Sequence, residues 1–287
     1  MNSKIIRNSL NNIEILVNDD NSVVNTSLDK VIICGYGYGD PIAKFVYYLA
    51  LYKRFGDVVE YLPLSEVIGI KDKSNVIVLV SSELKEKIEN KLTDCIFIES
   101  KETNPLNFFV TIAIKTIMII NQVTDKQIIE NVSMIAKSTK NITNILDEVD
   151  KVVETSKKCR DFDFIADGPQ GAIVEFSRMI LAREYGRTSM MENSEDFHHI
   201  NIFHRYMNDI YTIVIGSSTS NSYSRIYETV KVVDSIGREV FVITDKDIDY
   251  QISGNLFKTN EDDYILSSFK DLYLTVYLSC KLAEKDN

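Results

Sequence analysis

This chain reads as an α/β protein of two tandem three-layer α/β/α domains, each with a mainly parallel sheet. Short β-branched runs alternate with stretches of helical periodicity, the pattern of a parallel sheet covered by helices. A glycine loop follows a strand twice, at Gly35-Tyr-Gly37-Tyr-Gly39 and at Asp167-Gly168-Pro169-Gln170-Gly171. Each half also has a later strand that ends in paired serines: Gly35 lies 46 positions before Ser81, and Gly168 lies 49 before Ser217. A polar connecting segment separates the halves. The expected organisation is an N-terminal extension at 1–29, a first domain at 30–150 and a second at 151–287.

The elements follow in order. Residues 30–34 are short, β-branched and apolar, as a buried parallel strand is. Pro41 suits the first turn of a helix. Apolar residues then recur nearly all round over 42–54, as on a helix packed against a sheet. Strands are expected at 57–62, 75–80 and 94–98, and a long helix at 107–121. The apolar run from Phe108 to Ile120, interrupted by Lys115, is short for a bilayer span and fits a buried helix. Over 133–158 the chain is polar, with Ile142, Ile145, Leu146, Val149, Val152 and Val153 at helical spacing. That is the connecting helix. The pattern then restarts, with a strand at 162–166, the second glycine loop and a helix at 172–185. Strands at 210–215 and 239–244 and a final helix at 263–282 complete the reading.

Composition limits the function classes. Of 287 residues, 45% are apolar and 26% charged, which is ordinary for a soluble globular protein. A net charge of −10 disfavours nucleic acid and anionic membranes as partners, since both need clustered Lys and Arg. Cys34, Cys95, Cys159 and Cys280 have neither zinc-ligand nor disulfide spacing and read as reduced thiols of a cytoplasmic protein. The first residues lack the apolar core of a secretory signal.

In parallel sheets ligands bind outside the carboxyl ends of the strands, where a glycine loop meets a helix N-terminus. Gly35, Gly37 and Gly168 are therefore candidate substrate-binding positions, together with Ser81, Ser82, Ser217, Ser218 and Thr219. The run from Ser217 to Ser222 offers hydroxyls and backbone N–H groups at a helix start. It suits an anion, and equally the capping of that helix. The first glycine loop has further readings. It fits a plain strand-to-helix turn, or a dinucleotide fingerprint with Glu60 as the ribose acid, although Asp40 stands where that fingerprint needs glycine.

All three histidines, His198, His199 and His204, fall within seven positions. They are the side chains here that titrate near neutral pH unaided. Their spacing is not that of two ligands on one helix face, and no Cys cluster completes a zinc site. No metal or other cofactor is expected.

The ordered glycine and serine loops resemble the sugar isomerase (SIS) domain family, arranged in tandem as in the isomerase half of glutamine–fructose-6-phosphate aminotransferase. Residues 31–38 are similar to the family's first strand and its Cys-Gly-Thr-Ser-Tyr loop, and Leu64-Ser-Glu66 to the Ser-Glu-Phe that follows. Glu184 sits near the end of the helix that bears the family's catalytic Glu. Glu195-Asp-Phe-His198 resembles its Glu-Phe-Arg-His-Gly. The resemblance implies aldose–ketose isomerisation or deglycase-type chemistry on a sugar 6-phosphate or amino-sugar phosphate. Glu184 would move a proton between C1 and C2 through an enediol, His198 would open the ring, and the serine loops would hold the phosphate. It also implies a homodimer, because the family builds its sites across subunits.

The chain departs from the family in places. The family's Ser-x-Ser-Gly-x-Thr loop is reduced to Ser81-Ser82-Glu83, Gly37 replaces a Ser, and His199 stands where the family has Gly. Lys281 or Lys285 would have to serve for the lysine of its C-terminal tail. With Asn at position 2, no N-terminal Cys nucleophile and no glutamine-dependent amination are expected. Two other readings stay open: a non-catalytic phosphosugar sensor or structural paralogue on the same fold, and a Rossmann-type nucleotide-binding enzyme.

Overall fold

A computed structural model describes residues 2–18, 27–199, 209–220, 222–248 and 251–286. It is an α/β structure with one parallel sheet of four strands and one of five. The chain divides into two units, Asn11–Ala136 and Lys137–Asn287, and Met1–Leu10 joins the latter. The division thus falls at the start of the polar connecting segment, and the first turns of the chain belong with the second sheet.

Helix α1 (Ser3–Asn11) shows why. It docks on the last helix of the chain through Arg7 Nε, which donates to Tyr277 OH at 2.8 Å, and Ser9 Oγ, 3.1 Å from Tyr273 OH. The guanidinium also lies over the Tyr277 ring at 5.0 Å.

The first unit begins with α2 (Ile13–Asn18). It continues through β1 (Val31–Gly35), α3 (Gly39–Tyr52), β2 (Val59–Tyr61) and α4 (Leu64–Val67). Then come β3 (Val76–Ser81), α5 (Ser82–Ile88), β4 (Ile96–Ser100) and α6 (Pro105–Val123). The strand order is β2-β1-β3-β4, all parallel. Helix α6 is 19 residues long, so length and composition alone would also suit a membrane span. Its burial in this unit makes it the core helix: thirteen of its residues are buried, and it packs on α2, α3 and β4. Asn104 caps it by accepting from Leu106 N and Asn107 N.

The turn from β1 into α3 is closed by backbone contact. A Cβ on Gly35 would lie 2.1 Å from the carbonyl carbon of Gly39, and one on Gly39 would lie 2.1 Å from Leu79 O. Both glycines are required by packing of the loop upon itself and upon β3.

The second unit contains α7 (Ser133–Lys140, shared across the division), α8 (Thr143–Thr155), β5 (Asp161–Ala166) and α9 (Gly168–Ile180). It continues through β6 (Ser189–Glu192), α10 (Ser194–His199), β7 (Ile210–Gly216), α11 (Tyr223–Ser235), β8 (Glu239–Thr244), β9 (Asn255–Lys258) and α12 (Tyr264–Lys285). The strand order is β6-β5-β7-β8-β9, all parallel. The expected connecting helix is two helices, α7 and α8, broken at Asn141-Ile142. The expected helix over 172–185 is α9 followed by one wide i→i+5 turn at Leu181–Tyr185. Gly186, at φ 62°, ends it. Strands β6 and β9 are four-residue edges that lack an apolar run, so no period marks them in the sequence.

The two faces of the second sheet carry different helices. Ile165, Val214, Val240 and Val242 share a core with Phe197 of α10 and with Ile226, Val230 and Val233 of α11. Phe162, Phe164, Tyr211 and Phe241 form an aromatic chain on the other face. There α9 packs against α12, and Tyr211 OH donates to Asp286 at 3.1 Å, just beyond α12. On the α11 face Arg238 pairs with Asp163 at 2.6 Å, both nearly fully buried.

Candidate functional site

Both sheets change direction once. In the first, β2 lies to one side of β1 and β3 to the other, so the chain switches between β1 and β3. In the second it switches between β5 and β7. Helices then leave the two central strands in opposite senses and open a crevice at their carboxyl ends, where ligands of such sheets bind. The first crevice brings the Gly35–Gly39 loop beside Ser81 and Ser82. The second brings Gly168 beside Ser217, Ser218 and Thr219. The paired loops of each half are thus assembled by topology, across many residues of sequence.

In the first crevice Gly37 has φ 62° and a Cβ there would meet Leu84 Cδ1 at 3.3 Å, so the glycine loop abuts the start of α5. Ser81 takes the N-cap position of α5 but makes no side-chain capping bond. Two acids flank the loops and each has a lysine partner. Asp40 is 3.0 Å from Lys44 and accepts from Tyr61 OH at 2.9 Å. Glu99 accepts from Lys85 at 2.9 Å, and that ammonium holds its carboxyl below the usual carboxylate range. Glu60, the ribose acid of the dinucleotide reading, is paired with Lys30 at 2.6 Å.

The second crevice is built differently. Ser218 donates to Asp245 from its backbone N–H at 2.7 Å and from its hydroxyl at 2.7 Å, and Ser217 Oγ donates at 3.1 Å. Ser217 Oγ also lies 3.0 Å from Thr219 Oγ1. Asp167, at the end of β5, accepts from Ser194 N–H at 3.0 Å and from its hydroxyl at 2.6 Å. Beneath them Gln170 Nε2 donates to Asp271 Oδ2 at 3.0 Å, and Tyr264 OH donates to Gln170 Oε1 at 3.4 Å. Asp271 is fully buried and its Oδ1 has no hydrogen-bond partner among the described residues. Burial pushes this carboxyl up to about 7, and the nearby Asp245 charge adds to the effect. Asp245, Gln170 and Asp271 were missed in the sequence. Asp245 had one signal, an acid directly after an apolar strand whose parallel neighbour ends in serines.

Glu184 lies in the wide turn after α9, with its carboxylate 3.6 Å from Arg183 Nε. Such wide turns are frequent at functional sites. His198 lies on α10, half-buried, with Nε2 3.0 Å from Thr229 Oγ1. Thr229 already donates its hydroxyl proton to Arg225 O at 2.9 Å, so it accepts from His198. That assigns the neutral ring's proton to Nε2 and leaves Nδ1 as the acceptor. Glu184 follows α9 on the α12 face, and His198 sits on the α11 face.

His199 is exposed and lies 3.4 Å from Glu195, which also binds Arg225. His204 lies outside the described residues. Among those residues no group of three or more His, Cys, Asp or Glu side chains could hold a metal ion. The four cysteines are free thiols. Burial pushes Cys34 and Cys280 up to about 12 and Cys159 to about 11, so none of these three is a thiolate at neutral pH. Of the two candidate lysines, Lys281 pairs with Asp150 at 3.1 Å. Lys285 donates to the last carbonyls of α8, Val153 O at 2.6 Å among them.

No protein-family model matches the sequence, and no curated protein matches it. Solved structures do. The C-terminal domain of glucosamine-fructose-6-phosphate aminotransferase from Francisella tularensis superposes with a TM-score of 0.74 at 12% identity, over 99% of this chain and 95% of that one. Tagatose-6-phosphate ketose/aldose isomerase from Escherichia coli gives 0.68 at 10% identity, over 99% and 87%. Glucosamine-6-phosphate deaminase from Thermotoga maritima gives 0.65 at 12% identity, over 99% and 92%. The fold is that of the sugar isomerase (SIS) proteins, as the resemblance of the loops implied.

Proposed function

We propose that this protein binds a sugar phosphate and acts on it as an aldose–ketose isomerase or deglycase, its two units being tandem SIS domains. The observation that carries the reading is the likeness of nearly the whole chain to phosphosugar-metabolising structures. The two switch-point crevices support it, because the glycine and serine loops singled out in the sequence line them.

In this reading the glycine and serine loops of a crevice receive the phosphorylated sugar. Glu184 removes the proton from C2 of the aldose and returns it to C1, so that an enediol forms and collapses to the ketose. His198 passes a proton during ring opening through Nδ1, the atom its bond to Thr229 leaves as acceptor. A homodimer belongs to this reading, as the resemblance implied, with a second copy supplying the histidine. The cell compartment in this reading is the cytoplasm, with no nucleic acid or membrane as partner.

The test is a panel of aldose and ketose phosphates with solvent-deuterium exchange at C1 and C2 as readout. Glu184→Gln should abolish exchange and leave binding intact. Unchanged exchange in that variant removes Glu184 from the mechanism.

A second reading, a non-catalytic phosphosugar sensor, is favoured by the first serine loop, which is reduced to Ser81-Ser82-Glu83. Binding without exchange across the panel would establish it. The nucleotide-enzyme reading has less support, because Glu60 is committed to Lys30 and Asp40 to Lys44 and Tyr61.

A further inference from the structure

The second crevice is filled by carboxylates of the chain itself. A serine loop at a strand end binds an anion by pointing hydroxyls and backbone N–H groups at one place. In the Ser217 loop that place is taken. Asp245 is 1% exposed and accepts from Ser218 N–H, Ser218 Oγ and Ser217 Oγ, and from Thr244 Oγ1 at 3.3 Å. Among the other described donors, Thr219 has its N–H on Ser217 Oγ at 3.4 Å and its hydroxyl beside the same oxygen, Ser220 N–H donates to Ser217 O at 3.0 Å, and Ser220 Oγ lies 2.9 Å from Ser222 Oγ. A phosphate would need these same donors.

Other acids stand nearby. Asp167 occupies the neighbouring strand end, and Asp271 lies buried beneath Gln170. Lys270, a buried ammonium of this edge, is committed to Thr259 O at 3.0 Å and Glu261 at 3.1 Å. The first crevice differs, since its acids Asp40 and Glu99 are each offset by a lysine and Ser81 makes no capping bond.

We infer that Asp245 is an internal plug: its carboxylate stands where a phosphate would sit in the Ser217 loop and closes the second crevice to anions. Ser217, Ser218 and Thr219 then hold the fold together instead of receiving the phosphate of a sugar substrate. That last consequence rests on the proposed function. The plug itself rests on the geometry of Asp245.

The test separates the two. Removing the carboxylate with Asp245→Ala leaves an empty cradle that the smallest carboxylate can refill. Sodium formate at millimolar concentration should raise the melting temperature of Asp245→Ala by about 3 °C over an equal concentration of chloride. Wild type and Asp245→Asn, which keeps an oxygen facing Ser218 N–H, should not respond. A folded Asp245→Ala that ignores formate overturns the plug. A second measurement needs no variant: inorganic phosphate should leave amide hydrogen exchange at 216–220 unchanged in the wild-type chain. Protection there by phosphate also overturns it. Failure of every sugar phosphate to bind the wild-type chain would sink the functional reading and leave the plug standing.

Discussion

Glu184 and His198 stand on helices that cover opposite faces of the second sheet. Glu184 follows α9, which packs on α12, while His198 lies on α10, which packs on α11. If they serve one reaction, a second copy of the chain is one source of the histidine.

Subunit mixing tests this. Glu184→Gln and His198→Ala should each be inactive alone. Mixed, unfolded together and refolded, they should recover about a quarter of wild-type turnover, because half of random dimers carry one intact site of two. No recovery from a sample shown to contain mixed dimers would place the two residues in separate roles.

Stability should depend on pH through Asp271. Burial raises its folded pKa to about 7, above the ordinary aspartate value of about 4, so the folded state holds the proton more tightly. The stabilisation is therefore complete at low pH and is lost as pH rises from about 4 to about 7. Asp271→Asn should not lose it. Relative to wild type the variant should gain stability across that window, on the order of 4 kcal/mol at most, and then level off. Urea melts of both proteins from acid to mildly alkaline pH give the comparison. Parallel curves would mean that Asp271 does not titrate in this range.

Two glycines should respond in opposite degree to alanine. Gly39→Ala places a methyl group 2.1 Å from Leu79 O, so the β1–α3 turn has to open and the first unit should unfold or aggregate. Gly186→Ala meets nothing within 4 Å and carries only the strain of its left-handed φ of 62°, about 1 kcal/mol. Circular dichroism and thermal melts of the two variants distinguish them directly.

Arg238→Ala should be severe. It leaves Asp163 buried without its partner, and breaking one side of a buried ion pair costs about 3–5 kcal/mol. Replacing Arg238 and Asp163 together by apolar residues of similar volume should recover most of that loss. Denaturant midpoints of the single and double variants measure the difference, and equal loss in both would mean that packing, not charge, is what the pair supplies.

Much of the architecture was legible because its signals are local. β1, β3, β5, β7 and β8 are largely apolar, β-branched runs, as parallel strands buried on both faces are. The glycine loops follow from the same rule, since a strand that turns sharply into a helix needs residues without a Cβ, and Gly35 and Gly39 are held by that contact. Strands β6 and β9 were not legible. They are short edges whose pairing to β5 and β8 is a property of the sheet, and their own side chains carry no period.

The candidate site divides the same way. Residue chemistry and order in the chain singled out Glu184, His198 and both pairs of loops. Strand order alone brought each glycine loop beside its serine loop at a switch point. It also placed Glu184 and His198 on opposite faces, and it set Asp245, at the end of β8, against the serines that end β7. Two serine loops that look alike along the chain thus differ in what their donors bind. The sequence by itself determined which elements form and which groups have chemistry to offer. Which of those groups meet was decided by the pairing of strands far apart in the chain, because a hydrogen bond depends on separations of a few ångströms that residue spacing does not encode.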